Sequence, residues 1–349
     1  MIITTASIVE EAIFPLDEQL GIYKGHWSEG VVKAAVWLSG LVSFAQAEDI
    51  LERIGQMQMS TSSIWRYTQE VGHRFSAVET QQAKEAGALP VKWITPEQLG
   101  KSKPRMGVAM DGTMVHIRTE GWKELKVGTL FEIGIDPTRS QEEETHALQN
   151  SYVAYLGGPK HFGDKMWREA SQRGWEQALD TQAIGDGASW IWNLVRDHFG
   201  YSLQVVDWYH AASHLSTAAR LLKKEETAAQ HWLTSRKALL YQGHADKIAQ
   251  ELQDAIPHPF QEEDKALQAE ATYFRNNYRR MAYLEMREGK WLIGSGTVES
   301  AGKQYKQRFC GPGMRWSRSG AEHLLPIRTA ILSGCYDKHW RQSQNLPPN

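Results

Sequence analysis

Three carboxylic acid residues are the part of this sequence best suited to carry out chemistry. Asp111 and Asp186 each follow a short apolar run and precede a glycine, and Glu299 lies within the segment Gly296–Ser300. Two divalent ions about 4 Å apart can supply a nucleophile, a stabilised leaving oxygen and charge neutralisation for phosphodiester cleavage. Magnesium prefers oxygen ligands and keeps several waters. The three carboxylates therefore predict one open site for two Mg²⁺ ions, with Mn²⁺ able to substitute.

Each of these acidic residues also has a purely structural interpretation. Asp-Gly pairs are ordinary turn sequences, because Asp hydrogen-bonds its own backbone and Gly accepts a positive φ. Glu299 and Lys303 are four residues apart, the spacing of a simple surface pair on a helix. The metal-site prediction therefore depends on the combination of the three carboxylates and on no single one of them.

A fourth acidic residue, Asp207, ends the apolar stretch Ser202–Val206 and precedes His210 by one helical turn. Asp207 competes with Asp186 as a metal ligand, since both residues follow a predicted strand. A helix N-cap, or a residue that orients the metal ligands, is the favoured interpretation of Asp207. His210 and His214 are also one turn apart, but no cysteine lies nearby, which favours a satisfied or substrate-contacting histidine over a transition-metal ligand.

Apolar periodicity predicts the elements that position these residues. Strands are predicted at 105–110, 113–118, 122–133, 181–186 and 202–206, and helices at 162–180 and 189–198. The first three strands suggest an antiparallel meander, and the strand ending at Asp186 begins a parallel unit with a right-handed crossover. Two strands followed much later by a helix carrying Glu299 are the order in which an RNase H-like nuclease fold supplies three carboxylates. The predicted fold class is therefore α/β with a mixed sheet.

The N-terminal part of the chain reads as all-helical. Helices are predicted at 29–43, 45–54 and 64–71. Short turns between them suggest a helix-turn-helix, in which Arg66 would contact DNA from the N-terminal part of the last helix. Helix pairs joined by short turns are also common packing units, and this interpretation explains the pattern equally well.

Charge is unevenly distributed around a formal net charge of −2. Residues 1–100 contain 7 Lys and Arg against 12 Asp and Glu, whereas residues 270–349 contain 13 against 6. Local charge, and not total charge, creates the field that attracts a phosphate backbone. DNA contacts are therefore predicted in the C-terminal region, and the alternative is a solvated helix face. The candidate DNA-binding residues there are Lys303, Lys306, Arg308 and Arg315.

Composition excludes several other classes of protein. No run approaches the roughly 18 apolar residues of a membrane span, and the first residues lack the basic region of a signal peptide. The two cysteines, Cys310 and Cys335, offer neither a disulfide framework nor the spacing of a zinc site. A cytoplasmic, nucleoid-associated protein without membrane contact is expected.

Four segments taken together resemble a known family. They are Asp186–Trp192, Val206–His210, Gly294–Ser300 and Gly313–Ser317. Taken together, these segments are similar to bacterial insertion-sequence DDE transposases of the Kra type, a group related to the Mutator-like superfamily. The resemblance runs from about Phe14 to Trp340. It implies that Asp111, Asp186 and Glu299 are the catalytic, metal-binding triad, with Asp207 and His210 as an accessory acid-x-x-His motif.

The resemblance also implies a function and a domain organisation. A helical N-terminal segment at 1–78 and a linker at 79–104 would precede a catalytic core at 105–214, a helical insertion at 215–290 and the rest of the core at 291–349. The expected activity is metal-dependent cleavage and strand transfer on element ends and target DNA. Joining two ends requires a homodimer or higher assembly. Relatives often carry additional N-terminal sequence, so a shortened copy is expected.

Two alternatives to an active transposase remain open. One is a catalytically inactive, transposase-derived DNA-binding protein, which would use the helix-turn-helix and the basic C-terminal region. The other is an RNase H-like nuclease that cleaves without strand transfer. Metal-dependent cleavage separates the first alternative from an active enzyme, and joining of DNA ends separates the second.

Overall fold

The computed structural model describes residues 22–23, 27–85, 105–135, 144–178, 180–256 and 264–346. Most of the predicted linker at 79–104 lies outside the described residues. Among the described residues, no helix is long and apolar enough to cross a membrane.

A five-stranded mixed sheet forms the centre of the fold. The strands are β1 (Ile22–Tyr23), β2 (Trp27–Ser28), β3 (Arg105–Ile117), β4 (Gly121–Ile135), β5 (Thr145–Tyr155), β6 (Thr181–Gly185) and β7 (Leu203–Val206). The central sheet has the order β5-β4-β3-β6-β7, antiparallel from β5 to β3 and parallel from β3 to β7. Strands β1 and β2 form a separate antiparallel pair. The predicted α/β class with a mixed sheet is confirmed, as is the parallel unit. The antiparallel meander consists of β3, β4 and β5, and not of the three strands predicted at 105–133, because the first two of these form the single strand β3.

Helices surround this sheet. The first seven are α1 (Glu29–Leu41), α2 (Phe44–Arg53), α3 (Thr61–Glu85), α4 (Pro159–Gln172), α5 (Ser189–His198), α6 (Trp208–Leu222) and α7 (Glu226–Tyr241). The remaining ones are α8 (Ala245–Asp254), α9 (Lys265–Asn277), α10 (Tyr283–Glu288), α11 (Gly296–Phe309), α12 (Arg318–Leu332) and α13 (Tyr336–Gln344). The segment predicted as a helical insertion, 215–290, contains the end of α6 and the helices α7 to α10 within the described part of the chain.

Both faces of the sheet are covered by helices. Consecutive strand residues point to opposite faces, and in β4 these are Gly128 and Thr129. A Cβ at Gly128 would lie 2.2 Å from Met166 Sδ on α4, so close helix packing requires glycine there. Thr129 Oγ1 lies 3.1 Å from Thr297 Oγ1 on α11. Residues 106–110 of β3 and all of β6 are accordingly buried.

The N-terminal helices share a core with the C-terminal ones. Val71 and Phe75 of α3 pack with Ile327 of α12 and Trp340 of α13 in one buried cluster. At Gly72 the two backbones come so close that a Cβ would lie 1.9 Å from the His323 carbonyl oxygen. The helix predicted at 64–71 is therefore the beginning of a longer helix, α3, whose buried face continues well past it.

Two local predictions in the central region are wrong. Asp111-Gly112 is not a turn, because β3 continues to Ile117 and Asp111 pairs with Val127 of β4. Pairing along the whole of β4 outweighs the local turn preference of Asp-Gly. The helix predicted at 162–180 ends at Gln172, since Gly174 adopts a left-handed conformation with φ 75° and a short 3-10 helix follows.

Candidate metal centre

The register of the parallel strands places three acidic residues side by side. Asp111 and Asp186 both lie two residues beyond the last pair between β3 and β6, which is Ala109↔Ile184. Asp207 directly follows the last residue of β7, which pairs with the residue before Asp186. Neighbouring strands are about 4.8 Å apart. The three carboxylates therefore occupy the same level of three adjacent strands, at the edge where β6 and β7 end.

The turn that carries Asp186 is fixed from two sides. Ala188 N donates a hydrogen bond to Asp186 Oδ1 over 2.7 Å. Gly187 has a φ of 107°, and a Cβ there would lie 2.5 Å from Tyr273 Cε2. Tyr273 Oη donates to the Asp186 carbonyl oxygen over 2.9 Å. The helical insertion therefore touches this turn directly and holds the backbone of Asp186 in place.

Tyr273 lies on α9 and is held in place by a contact with α6. Its ring stacks on His214 with centroids 3.6 Å apart, and His214 Nδ1 lies 2.7 Å from Glu270 Oε2. Burial raises the pKa of the Tyr273 phenol, and the charges of Asp186 and Asp207 raise it further. The phenol therefore stays protonated and remains a hydrogen-bond donor to the Asp186 turn.

Asp207 is fully buried, and both of its carboxylate oxygens accept hydrogen bonds. His210 donates to Oδ1 from its backbone N over 2.8 Å and from Nδ1 over 3.0 Å. Ser295 N donates to Oδ2. The prediction that Asp207 is an N-cap is confirmed, since it caps α6. The same carboxylate also joins the start of α6 to the loop that precedes α11.

The Asp207–His210 pair is strongly ionic. Burial alone would raise the pKa of Asp207, but hydrogen bonds from His210 and Ser295 hold it below its ordinary value. The hydrogen bond to Asp207 raises the pKa of His210 to about 9 despite burial, and the charges of Asp207, Asp186 and Asp111 add to this shift. At neutral pH the pair is therefore a carboxylate and an imidazolium.

Glu299 in the first turn of α11 completes the cluster. One ligand atom from each of Asp207, His210 and Glu299 lies within 4.8 Å of the others. Burial raises the pKa of Asp111. The backbone N–H of the next residue opposes this shift, and the charges of Asp186 and Glu299 reinforce it. The structure therefore brings ligand atoms of Asp207, His210 and Glu299 together, and Asp111 and Asp186 lie close enough for their charges to interact with this cluster.

The carboxylates fit a divalent cation. Within the described ranges, no Lys or Arg forms an ion pair with Asp111, Asp186 or Glu299. Burial and the charges of Asp186 and Glu299 raise the pKa of Asp111, and a bound cation would relieve this excess of negative charge. Their oxygens are the hard ligands that Mg²⁺ and Mn²⁺ prefer. Asp207, with both oxygens already engaged, fits an orienting role better than direct ligation.

The residues predicted to contact DNA have different environments. Lys303 and Lys306 are exposed on α11, Arg315 is exposed between α11 and α12, and Arg66 is exposed on α3. Arg308 is only 1% exposed, so it does not belong to the solvated face of α11 on which it was placed from sequence. The reason is the packing of the N-terminal helices against the end of α11.

Sequence reasoning missed the contact between Tyr273 and Asp186. These residues are 87 positions apart, and no local pattern in α9 indicates the contact. The available signal was Gly187, because a glycine directly after an acidic residue suggests either a positive φ or the close approach of another element. At Gly187 both reasons apply.

Comparison with known proteins places the chain in one family. Residues 10–345 match the family described as "Uncharacterised protein family (UPF0236)". A relative from Streptococcus gallolyticus, "UPF0236 protein in vanSb 3'region", is 22% identical over 351 residues. That alignment covers 96% of this chain and 70% of the relative. The family match includes all the strands and helices that carry the candidate metal centre, and the chain belongs to the UPF0236 family.

Proposed function

We propose that this protein is a DDE transposase that cleaves DNA and transfers strands of an insertion sequence in a metal-dependent reaction. The observation that carries the proposal is the convergence of Asp111, Asp186 and Glu299, from three distant parts of the chain, beside the Asp207–His210 pair. A phosphodiester-cleaving two-metal site needs such a cluster of carboxylates without lysine or arginine partners.

The topology around these residues supports the same proposal. Strands β3, β4 and β5 form an antiparallel meander, and β6 and β7 extend the sheet beside β3 as parallel strands. An RNase H-like fold is expected to have this arrangement. Asp111 lies on the central strand β3, Asp186 directly follows β6, and Glu299 lies on a helix that packs against β4. This is the strand, strand, helix order that the sequence predicted for the catalytic core.

The residues have separate tasks in the proposed reaction. Asp111, Asp186 and Glu299 would hold two Mg²⁺ ions, which supply activation of the nucleophile and stabilisation of charge at phosphorus. Asp207 fixes His210 and the loop before α11, and so positions Glu299. Tyr273 positions the Asp186 turn from the helical insertion. Water is the first nucleophile, and the freed 3'-hydroxyl attacks target DNA in the second step.

The substrate and assembly follow from this reaction class. Element ends and target DNA are the proposed partners, and joining two ends requires a homodimer or a higher assembly on DNA. Lys303 and Lys306 extend along the exposed side of the helix that carries Glu299, where they can contact the same phosphate backbone. A nucleoid-associated location follows from a DNA substrate.

The direct test uses purified protein and labelled duplexes that carry the ends of its own element, in Mg²⁺ and in EDTA. Wild-type protein should nick the duplexes only with Mg²⁺, and an Asp186→Ala variant should be inactive. Transfer of the freed 3'-end to a target plasmid should give joined products. Nicking without joining would favour the nuclease alternative. DNA binding without cleavage in either Mg²⁺ or Mn²⁺ would favour a transposase-derived binding protein.

A further inference from the structure

A cavity of about 360 Å³ lies at the opposite end of α11 from Glu299. Helices α2 and α3, the end of β3, the end of α11 and the segment before α12 contribute to its walls. We call it the arginine cavity and define it by Phe44, Trp65, Arg118, Arg308, Arg315 and Trp316. It is separate from the candidate metal centre, although α11 and β3 contribute to both.

The arginine cavity concentrates positive charge without a counter-charge. Three arginines line it, and no described residue of its lining is acidic. Among the described residues, Arg118, Arg308 and Arg315 form no ion pair with a carboxylate. Surface arginines are normally solvated, but a buried guanidinium without a compensating anion is unfavourable. The buried guanidinium of Arg308 therefore lacks a compensating anion among the described residues.

Arg308 is held in place but is not fully satisfied. Its Nε donates to the Ser39 carbonyl oxygen over 2.6 Å. Its Cζ lies 5.1 Å from the Phe44 ring centroid and 4.9 Å from that of Trp316. Its Nη2 is buried and has no hydrogen-bond partner within the described part of the chain. The two aromatic rings therefore hold the guanidinium in a fixed position, and its Nη2 is still available to donate hydrogen bonds.

The electrostatics agree with this geometry. Burial, together with the smaller effect of the charge of Arg328, lowers the pKa of Arg308 to about 10. The guanidinium is still protonated at neutral pH, so the charge is present and only partly compensated by the two ring faces. An anion in the cavity would remove this penalty and form charge-assisted hydrogen bonds.

Two further features indicate which kind of anion fits. Trp65 lines the cavity and is 45% exposed, so part of its ring is available for stacking. Helix α12 begins at the cavity, where its N-cap Ser317 accepts from Gly320 N over 3.1 Å. Its first turn adds helix-dipole attraction for a phosphate. Arginines for phosphate and an exposed indole for a base are the pattern of a single-stranded nucleic-acid subsite.

We propose that the arginine cavity binds a phosphate group of a DNA strand, while an unpaired base of that strand stacks on Trp65. The inference rests on the proposed function for the identity of the strand. Glu299 and Arg308 are nine residues apart on one helix, which corresponds to about 13 Å at 1.5 Å per residue. The arginine cavity is therefore close enough to the candidate metal centre for one DNA strand to reach both.

The test measures binding of a fluorescent single-stranded oligonucleotide in EDTA by anisotropy, across a series of salt concentrations. Trp65→Leu should weaken binding by about 5-fold to 100-fold through loss of stacking. Trp122→Leu is the matched control, because Trp122 is 62% exposed on the β3–β4 hairpin and lies outside the cavity. Equal affinities of the two variants would overturn the proposal.

The arginines are tested by the salt dependence of the same binding reaction. Arg118→Gln and Arg315→Gln should each reduce the slope of log affinity against log salt by about 0.7, the value for one phosphate contact of a single strand. Arg196→Gln is the control, since Arg196 is exposed and paired with Asp197. An unchanged slope in both cavity variants would overturn the proposal. Arg308→Lys, with its fold verified by circular dichroism, should also weaken binding.

Competition distinguishes a strand from a free phosphate. Deoxynucleoside monophosphate and inorganic phosphate should displace the labelled oligonucleotide only at concentrations far above that of an unlabelled strand. Displacement by micromolar inorganic phosphate would overturn the proposal in favour of a free-anion site. Because these measurements are made in EDTA, they do not depend on cleavage. Loss of nicking with intact cavity-dependent binding would therefore refute only the proposed function.

Discussion

The two ends of helix α11 have opposite charge environments. At its first turn, Glu299 joins Asp111 and Asp186, and no described Lys or Arg pairs with these three carboxylates. At its last turn, Arg308 lies beside two more arginines, and no described carboxylate pairs with them. One rigid element thus separates unbalanced negative charge from unbalanced positive charge by about 13 Å.

A third buried charge shows how the fold behaves where no ligand is needed. Arg168 is 3% exposed, and its Nη1 lies 3.7 Å from the buried carboxylate of Glu79, which also pairs with Lys165. Here the protein supplies its own counter-charge. The contrast shows that the fold can balance a buried charge internally but does not do so at the two ends of α11, which supports binding of a cation at one end and an anion at the other.

The largest expected effect tests the acidic end. Asp186→Asn should reduce nicking of the element ends by at least roughly 1,000-fold, because changes to groups that merely orient metal ligands already cost 10-fold to 100-fold. The assay is strand nicking in Mg²⁺. Asp197→Asn is the control, since Asp197 is exposed on α5 and pairs with Arg196. Similar activity of the two variants would break the assignment of the acidic end.

The buried ion pair between Glu79 and Arg168 should contribute to stability and not to ligand binding. Glu79→Gln removes the buried counter-charge of Arg168 and leaves only the less buried Glu169, 3.8 Å away, so the free energy of unfolding at pH 7 should fall by about 3 kcal/mol. Urea unfolding measures this change, with the exposed Glu288→Gln as control. A loss no larger than that of the control would mean that this charge, too, is not balanced by the fold.

The same pair predicts a pH dependence of stability. Burial alone would raise the pKa of Glu79, but Lys165 and Arg168 hold it below its ordinary value of 4.5. A carboxyl group with a lowered pKa stabilises the fold above the unfolded pKa, and this contribution disappears as the pH falls through the folded value. Wild-type protein should therefore lose more stability below pH 4.5 than Glu79→Gln does. Parallel pH profiles would contradict this account.

A smaller effect of opposite sign is expected at Asp111. Burial and the neighbouring carboxylates raise the pKa of Asp111, so its negative charge destabilises the fold when no cation is bound. Asp111→Asn should therefore raise the free energy of unfolding in EDTA by about 1 kcal/mol. It should also reduce the additional stabilisation by Mg²⁺ that linkage predicts for wild-type protein. A destabilised variant in EDTA would contradict the idea of unbalanced charge.

The smallest effect concerns the contact between the insertion and the acidic end. Tyr273→Phe removes one hydrogen bond to the Asp186 carbonyl oxygen but keeps the stacked ring. Nicking should fall by about 3-fold to 10-fold, the value of one hydrogen bond, and the Mg²⁺ concentration for half-maximal activity should rise. Tyr201→Phe, at a 90% exposed position, is the control. Unchanged Mg²⁺ dependence would reduce Tyr273 to a packing residue.

Sequence patterns predicted those features that depend on local structure. The apolar runs before Asp186 and Asp207 indicated strand ends that the fold contains. Because the strands of a parallel unit end at one edge, the side-by-side arrangement of these acidic residues followed from sequence as well. The cap at Asp207 was predictable for the same reason, since capping is a local interaction.

Features that depend on distant contacts were not predictable from sequence. Asp111 lies inside a continuous strand because β4 pairs along its whole length, and that pairing overrides the local preference for a turn. Arg308 is buried because its guanidinium contacts Ser39, 269 residues away in sequence. Periodicity within α11 places Arg308 close to exposed lysines and gives no sign of the helices that cover it.

The central claim is that the acidic end of α11 binds two divalent ions, and direct titration tests it most simply. Mn²⁺ binding to purified protein, followed by electron paramagnetic resonance of the free ion, should saturate near two ions per chain. The triple variant Asp111→Asn, Asp186→Asn, Glu299→Gln should bind none at this site. Absence of saturable binding by wild-type protein, or equal binding by the triple variant, would contradict the account.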